Sequence, residues 1–283
     1  MKRTKNIPIE VIKTSDCVAN KIMELFSGMD WKKTCNGPSK SISFYADFLG
    51  TKDLYVCAEH FANCTSEETD GSNCYIKGVS GDFCYINRGP IKGIEIYIYS
   101  RKKKLDVLKL TEIVTHEIYH SWDFTFFKNP SRDTKRYTLN KNFNPTVTLG
   151  QDREKYAIER YIRELIYFSF NFEQRAYYAG AYNCATLALN NGLPFNKALK
   201  KTSLFVIDKG LPLILRELKS LYETNTVNKK YADSILRKNR LSYDRFLNLA
   251  DKSIKSNHKN YLQLKSLLKT QMKTIASPSL CHQ

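Results

Sequence analysis

The chain has 283 residues, 42% of them hydrophobic, and carries 45 Lys and Arg against 28 Asp and Glu, for a net charge of +17. That length suits one large domain or one domain with an appendage, and the apolar share is ordinary for a folded protein. No run of about 18 apolar residues occurs, so a membrane-spanning helix is not expected; the richest stretch, Leu204 to Leu218, is broken by Asp208, Lys209 and Arg216.

The basic start, Met1 to Asn6, leads into Ile7-Pro8-Ile9-Glu10 rather than a signal-peptide hydrophobic core, which favours an intracellular location and leaves the compartment open. Six of the eight cysteines (Cys17, Cys35, Cys57, Cys64, Cys74 and Cys84) fall in the first third, and none forms a Cys-x-x-Cys pair. A zinc ribbon or thioredoxin-like site is therefore disfavoured; scattered thiols and a disulfide-stapled N-terminal region both stay open.

Apolar spacing predicts a helix over 18–26, followed by a Lys-, Gly-, Pro- and Ser-rich loop around 32–40. Short strand-like runs follow at 42–48, 54–58, 83–86 and 93–100. The last is clearest, because Ile94, Ile96 and Ile98 alternate with Glu95, Tyr97 and Tyr99. A helix is predicted over about 105–122, with Leu108, Leu110, Ile113, Val114 and Ile118 buried. From Phe124 to Asp152 the pattern dissolves into a long connection. Helices are predicted from there on: 153–191, 197–208, 211–222, 228–238, 243–256 and 261–275. From Asn196 onward 18 Lys and Arg face 6 Asp and Glu. Such helix faces are usually solvated, and the alternative is a docking surface for an acidic partner.

Thr115-His116-Glu117-Ile118-Tyr119-His120 places a His-Glu-x-x-His pattern in the helix predicted over 105–122. Residues four apart share a helical face, so His116 and His120 can converge on one metal ion. Glu117, about 100° round the same turn, can reach a water there without being a ligand. A catalytic zinc usually has three protein ligands and leaves one position to water. A third histidine six residues beyond His120 would complete one known pattern, but Phe126 stands there. Glu173 is the strongest candidate, because Ala176 and Gly180 lie on its side of the helix and small side chains there admit a close neighbour. Glu154, Glu159 and Glu164 read as solvated charge. Asp123, three residues beyond His120, is either an acceptor for a histidine N–H or an alternative third ligand. Tyr177, four residues after Glu173, can point into the site, where a phenol would stabilise an oxyanion.

His116-Glu117-Ile118-Tyr119-His120-Ser121-Trp122-Asp123 and Glu173-Gln174-Arg175-Ala176 together resemble the gluzincin branch of zinc metallopeptidases. More narrowly, they resemble the mitochondrial metalloprotease family that processes an ATP synthase subunit. The connection from His120 to Glu173 is longer than in that family. The resemblance implies one Zn2+ per chain on His116, His120 and Glu173, with Glu117 as general base; the expected reaction is hydrolysis of an amide bond in a peptide or protein substrate. The resemblance also implies a zincin-like α+β fold with a small antiparallel sheet before the zinc helix and a mostly helical half after it. The strand over 94–99 is expected to be the edge strand that lines the cleft. A catalytic domain over 1–190, with its third-ligand helix over about 153–190, would precede a basic helical region over 191–283. The rival expectation is a basic docking, structural or nucleic-acid-associated protein with a vestigial or structural metal site.

Overall fold

A computed structural model describes residues 7–27, 40–61, 79–85, 92–99, 106–126 and 150–276. Most of the long connection after the His-Glu-x-x-His helix lies outside these residues, as do His282 and the side chain of His60. Helix α1 (Ile9–Ser27) comes first, then strands β1 (Lys40–Phe48), β2 (Thr51–Phe61), β3 (Val79–Tyr85) and β4 (Lys92–Tyr99), then helix α2 (Val107–Phe126). Six further helices follow: α3 (Arg153–Tyr167), α4 (Asn171–Asn190), α5 (Phe195–Lys200), α6 (Ser203–Thr224), α7 (Thr226–Lys238) and α8 (Tyr243–Ala276). The class is α+β, as expected. Among the described residues no helix is long and apolar enough to cross a membrane.

The sheet has the order β1-β2-β4-β3. It is mixed rather than antiparallel, because β2 pairs with β4 in parallel while the β1–β2 and β3–β4 pairs are antiparallel. Strand β4 is therefore interior, and the edge beside it is β3. This corrects the expected edge at 94–99: Ile94 and Ile96 are fully buried against Val56 and Ala58, which suits a strand paired on both sides. Leu54, Val56, Ala58, Ile94 and Ile96 form one core with α1, α2 and two residues of α4, Ala176 and Ala179.

The expected single helix over 153–191 is broken at Phe168–Phe170. Neither Gly nor Pro marks the break. The Ser169 hydroxyl donates to the Ile166 carbonyl at 2.6 Å, taking an acceptor from the helix ladder. The Phe168 carbonyl, freed from the ladder, accepts from Gln174 at 2.8 Å, Ser253 at 2.9 Å and Asn257 at 3.1 Å. Two of those donors belong to α8, so the break is fixed by tertiary contact. Conversely, α6 runs through Pro212, because Ile207, Leu211, Leu215 and Leu218 make one buried stripe across it. Helix α8 likewise joins the two segments expected at 243–256 and 261–275.

The expected boundary at residue 190 does not coincide with a division between cores. Ile158, Ile162, Leu165 and Ile166 of α3 share a second core with α6, α7 and α8. A third joins Ala181 and Ala185 of α4 to Leu199, Leu204, Leu264 and Leu268. Helix α4 thus touches all three. Glu159, expected to be solvated, is fully buried and accepts from the Tyr231 hydroxyl on α7.

Where α4 crosses α2, a Cβ added to Gly180 would lie 2.5 Å from the Glu112 carbonyl oxygen. The two backbones are in contact there, so any side chain forces them apart. Gly180→Ala is expected to lower stability by about 1–3 kcal/mol, the cost of overpacking a tight core, measured by denaturant unfolding. An unchanged midpoint would show that the helices separate freely.

Candidate metal centre

Helix α2 carries His116 and His120 one turn apart, and α4 carries Glu173 as its third residue. The helix N-terminus favours a negative charge at that position. The pairs Glu112 with Gly180, Thr115 with Asn183, His120 with Glu173 and Asp123 with Arg175 show that the two helices run in opposite directions. The crossing at Gly180 places Glu173, two turns earlier on α4, over the two imidazoles.

The Nε2 atoms of His116 and His120 are 3.0 Å apart. Glu173 Oε2 lies 3.2 Å from the first and 3.4 Å from the second. Two ligand atoms at about 2.0–2.2 Å from one tetrahedral metal are about 3.3–3.6 Å apart, so the observed triangle matches that geometry with little adjustment. Among the described residues, both Nδ1 atoms are buried without a hydrogen-bond partner. The imidazoles are therefore oriented by what their Nε2 atoms share and by ring packing. The Tyr177 ring lies edge-on to His116 at 4.4 Å, and Phe172, itself stacked on Phe170, lies 5.6 Å from His120.

All four groups of the motif are buried: His116, Glu117 and His120 are 5% exposed and Glu173 is 7% exposed. Burial opposes protonation of both histidines. At His116 it prevails and the pKa is lowered; at His120 the carboxylates of Glu173, Glu117 and Asp123 outweigh it and the pKa is raised. Burial pushes the Glu173 carboxyl up, but His120 and His116 outweigh it and hold the group well below the usual carboxylate range. The carboxylate is thus ionised, as a ligand must be.

No protein-family model, curated protein or solved structure matches the chain. The site is therefore read from its own geometry. Among the described residues, His116, His120 and Glu173 are the group of histidine, cysteine and acidic side chains that could hold a metal ion. Glu117 stands beside it, with Oε1 4.0 Å from His116 Nε2. Asp123 does not enter the cluster. It is fully buried, and its Oδ2 accepts from Arg175 of α4, two residues past Glu173. That ion pair ties the histidine helix to the glutamate helix. Tyr177 reaches the site through its ring against His116.

The residue that sequence reasoning missed is Tyr167, whose hydroxyl donates to Glu173 Oε2 at 2.7 Å. Only the break after Tyr167 turns the end of α3 back toward Glu173, and the sequence carries no local sign of that break. Among 18 tyrosines, nothing in composition or spacing marks it. Of the described cysteines, Cys17, Cys57 and Cys184 are free thiols; burial pushes the Cys184 thiol up, which makes it a poor nucleophile and ligand. His258 is exposed and pairs with Asp208 at 2.8 Å, away from the cluster.

A hydrogen bond to a ligating carboxylate fixes its direction, and losing one typically costs about 10–100-fold in metal affinity. Tyr167→Phe is expected to weaken binding of a divalent metal ion by that factor while leaving stoichiometry unchanged, read by competition with a chromogenic chelator. Wild-type affinity in this variant would leave Tyr167 no part in the site.

Proposed function

We propose that the protein is a zinc-dependent peptidase that hydrolyses an amide bond. The observation that carries this reading is the triangle of His116 Nε2, His120 Nε2 and Glu173 Oε2 at 3.0–3.4 Å, with the Glu117 carboxylate beside it but outside it. Two neutral imidazoles and a carboxylate are the donor set of hydrolytic zinc sites, which leave one position open to water or substrate. Zinc held by these three residues would supply Lewis-acid polarisation of the scissile carbonyl and a lowered pKa for water.

The chain's own residues divide the remaining work. Glu117 takes a proton from the attacking water on a carboxylate oxygen and returns it to the nitrogen of the leaving amine, so that the C–N bond breaks without expelling an amide anion. The buried surroundings of Glu117 keep bulk water from competing for that proton. Tyr167 holds the direction of Glu173, and the Asp123–Arg175 pair holds α2 against α4. Tyr177, whose ring packs against His116, brings a second phenol beside the cluster, where it could stabilise an oxyanion. Strand β3 is the sheet edge next to β4 and packs near α2. An extended peptide pairing with that edge would run past the histidine helix.

The test uses an unfolded protein such as casein as substrate. Glu117→Gln is expected to retain one zinc and lose at least about 100-fold in cleavage rate, the usual contribution of a positioned general base. Cleavage at the wild-type rate in that variant would sink the mechanism. Cleavage that survives complete zinc removal would sink the zinc assignment.

A further inference from the structure

Helix α8 has 34 residues and so runs for about 50 Å at 1.5 Å per residue. Its inner side is fixed: Phe246, Ala250, Ser253, Asn257, Leu264 and Leu268 are buried, and Ser253 and Asn257 bond the Phe168 carbonyl. At about 100° per residue, Lys252, Lys255, Lys259, Leu262 and Lys269 fall within one stripe on the opposite side. All five are exposed, Leu262 to 48%.

Two features separate this stripe from an ordinary solvated face. Exposed Asp244 and Asp251 lie at the N-terminal end of the stripe, but from Lys252 to Ala276 the chain has six lysines and no Asp, Glu or Arg, and among the described residues none of the four exposed lysines pairs with a carboxylate. Lysines three and four apart repel one another along a helix and weaken it unless an opposite charge answers them. Helix α5, whose Leu199 packs on the inner-side Leu264 and Leu268, adds two more exposed lysines, Lys197 and Lys200.

We propose that the outward face of α8 docks on an anionic lipid surface. The lysines would lie at the headgroups, with Leu262, in the middle of the row, at the acyl boundary. A straight row of lysines on one helix presents its charge to a plane, and anionic leaflets attract such polybasic segments. Arginine, whose planar fork suits the phosphates of nucleic acid, is absent from the row. An exposed leucine among the lysines adds what a lipid surface rewards and a phosphate strand does not. Because the inner side of α8 faces the Phe168 carbonyl and Gln174, docking would turn the metal cluster away from the bilayer. This inference does not rest on the peptidase reading.

The test is sedimentation of the full chain with phosphatidylcholine vesicles, with and without phosphatidylserine. Binding is expected only with phosphatidylserine and is expected to fade at high salt, because surface charges are screened. Each Lys→Gln change on the row should weaken it roughly five-fold, so K252Q/K255Q/K259Q should lose about 100-fold. The variant K229Q/K230Q/R237Q, with the same net charge on α7, should stay within a few-fold of wild type, and L262N should weaken binding without changing its salt dependence. Equal binding to both vesicle types would overturn the proposal, as would equal loss in the two triple variants. Tighter binding to a single-stranded RNA homopolymer, lost in the same α8 variant, would overturn the choice of lipid.

Discussion

The contact between the backbones of α2 and α4 at Gly180 is the constraint on which the site depends. Metal ligands on two different helices converge only if the helices approach closely and in one register. Here the Glu112 carbonyl occupies the space where a side chain would stand on residue 180. Ala176, Ala179 and Gly180 make the facing side of α4 nearly flat. With the helices antiparallel, the two turns from Gly180 back to Glu173 match the stretch from Glu112 to His116 and His120, and the carboxylate arrives over both imidazoles.

Three acidic groups along this interface, Glu112, Asp123 and Glu173, are buried, and each accepts from a donor. Glu112 accepts from Lys109 at 2.8 Å and from the Ser203 backbone N–H at 2.6 Å, which also satisfies the first turn of α6. Asp123 accepts from Arg175, and Glu173 accepts from Tyr167 beside the two histidines. Asn183 donates to Thr115 on α2 and to Asp16 on α1, tying the two helices to α4. Leaving a buried charge without its partner costs about 3–5 kcal/mol, so these pairs specify one register of α2 against α4 more than they add net stability. The cluster inherits its precision from that register.

Much of this was legible in the sequence. The His-Glu-x-x-His spacing fixes two imidazoles on one face, and the small residues at three and seven from Glu173 mark a close helix crossing; both follow from helical geometry. The strand over 93–100 was legible from its alternation, but its place inside the sheet was not, since strand order is set by pairing between segments distant in the chain. The break before α4 was hidden for a related reason: Ser253 and Asn257, more than eighty residues away in the chain, supply the donors that stabilise it. Tyr167 was invisible because its role depends on that break. Asp123, expected to accept a histidine N–H or to serve as a third ligand, does neither among the described residues; its partner is Arg175, about which spacing along α2 says nothing.

The proposed hydrolysis requires that His116, His120 and Glu173 hold one metal together. X-ray absorption at the zinc edge on the full chain tests this directly. The account predicts one zinc per chain with two imidazole nitrogens and a carboxylate oxygen at about 2.0–2.2 Å, and loss of that coordination in Glu173→Ala with the helices still folded. A chain that binds no zinc, or one whose zinc keeps the same ligands in Glu173→Ala, would contradict it.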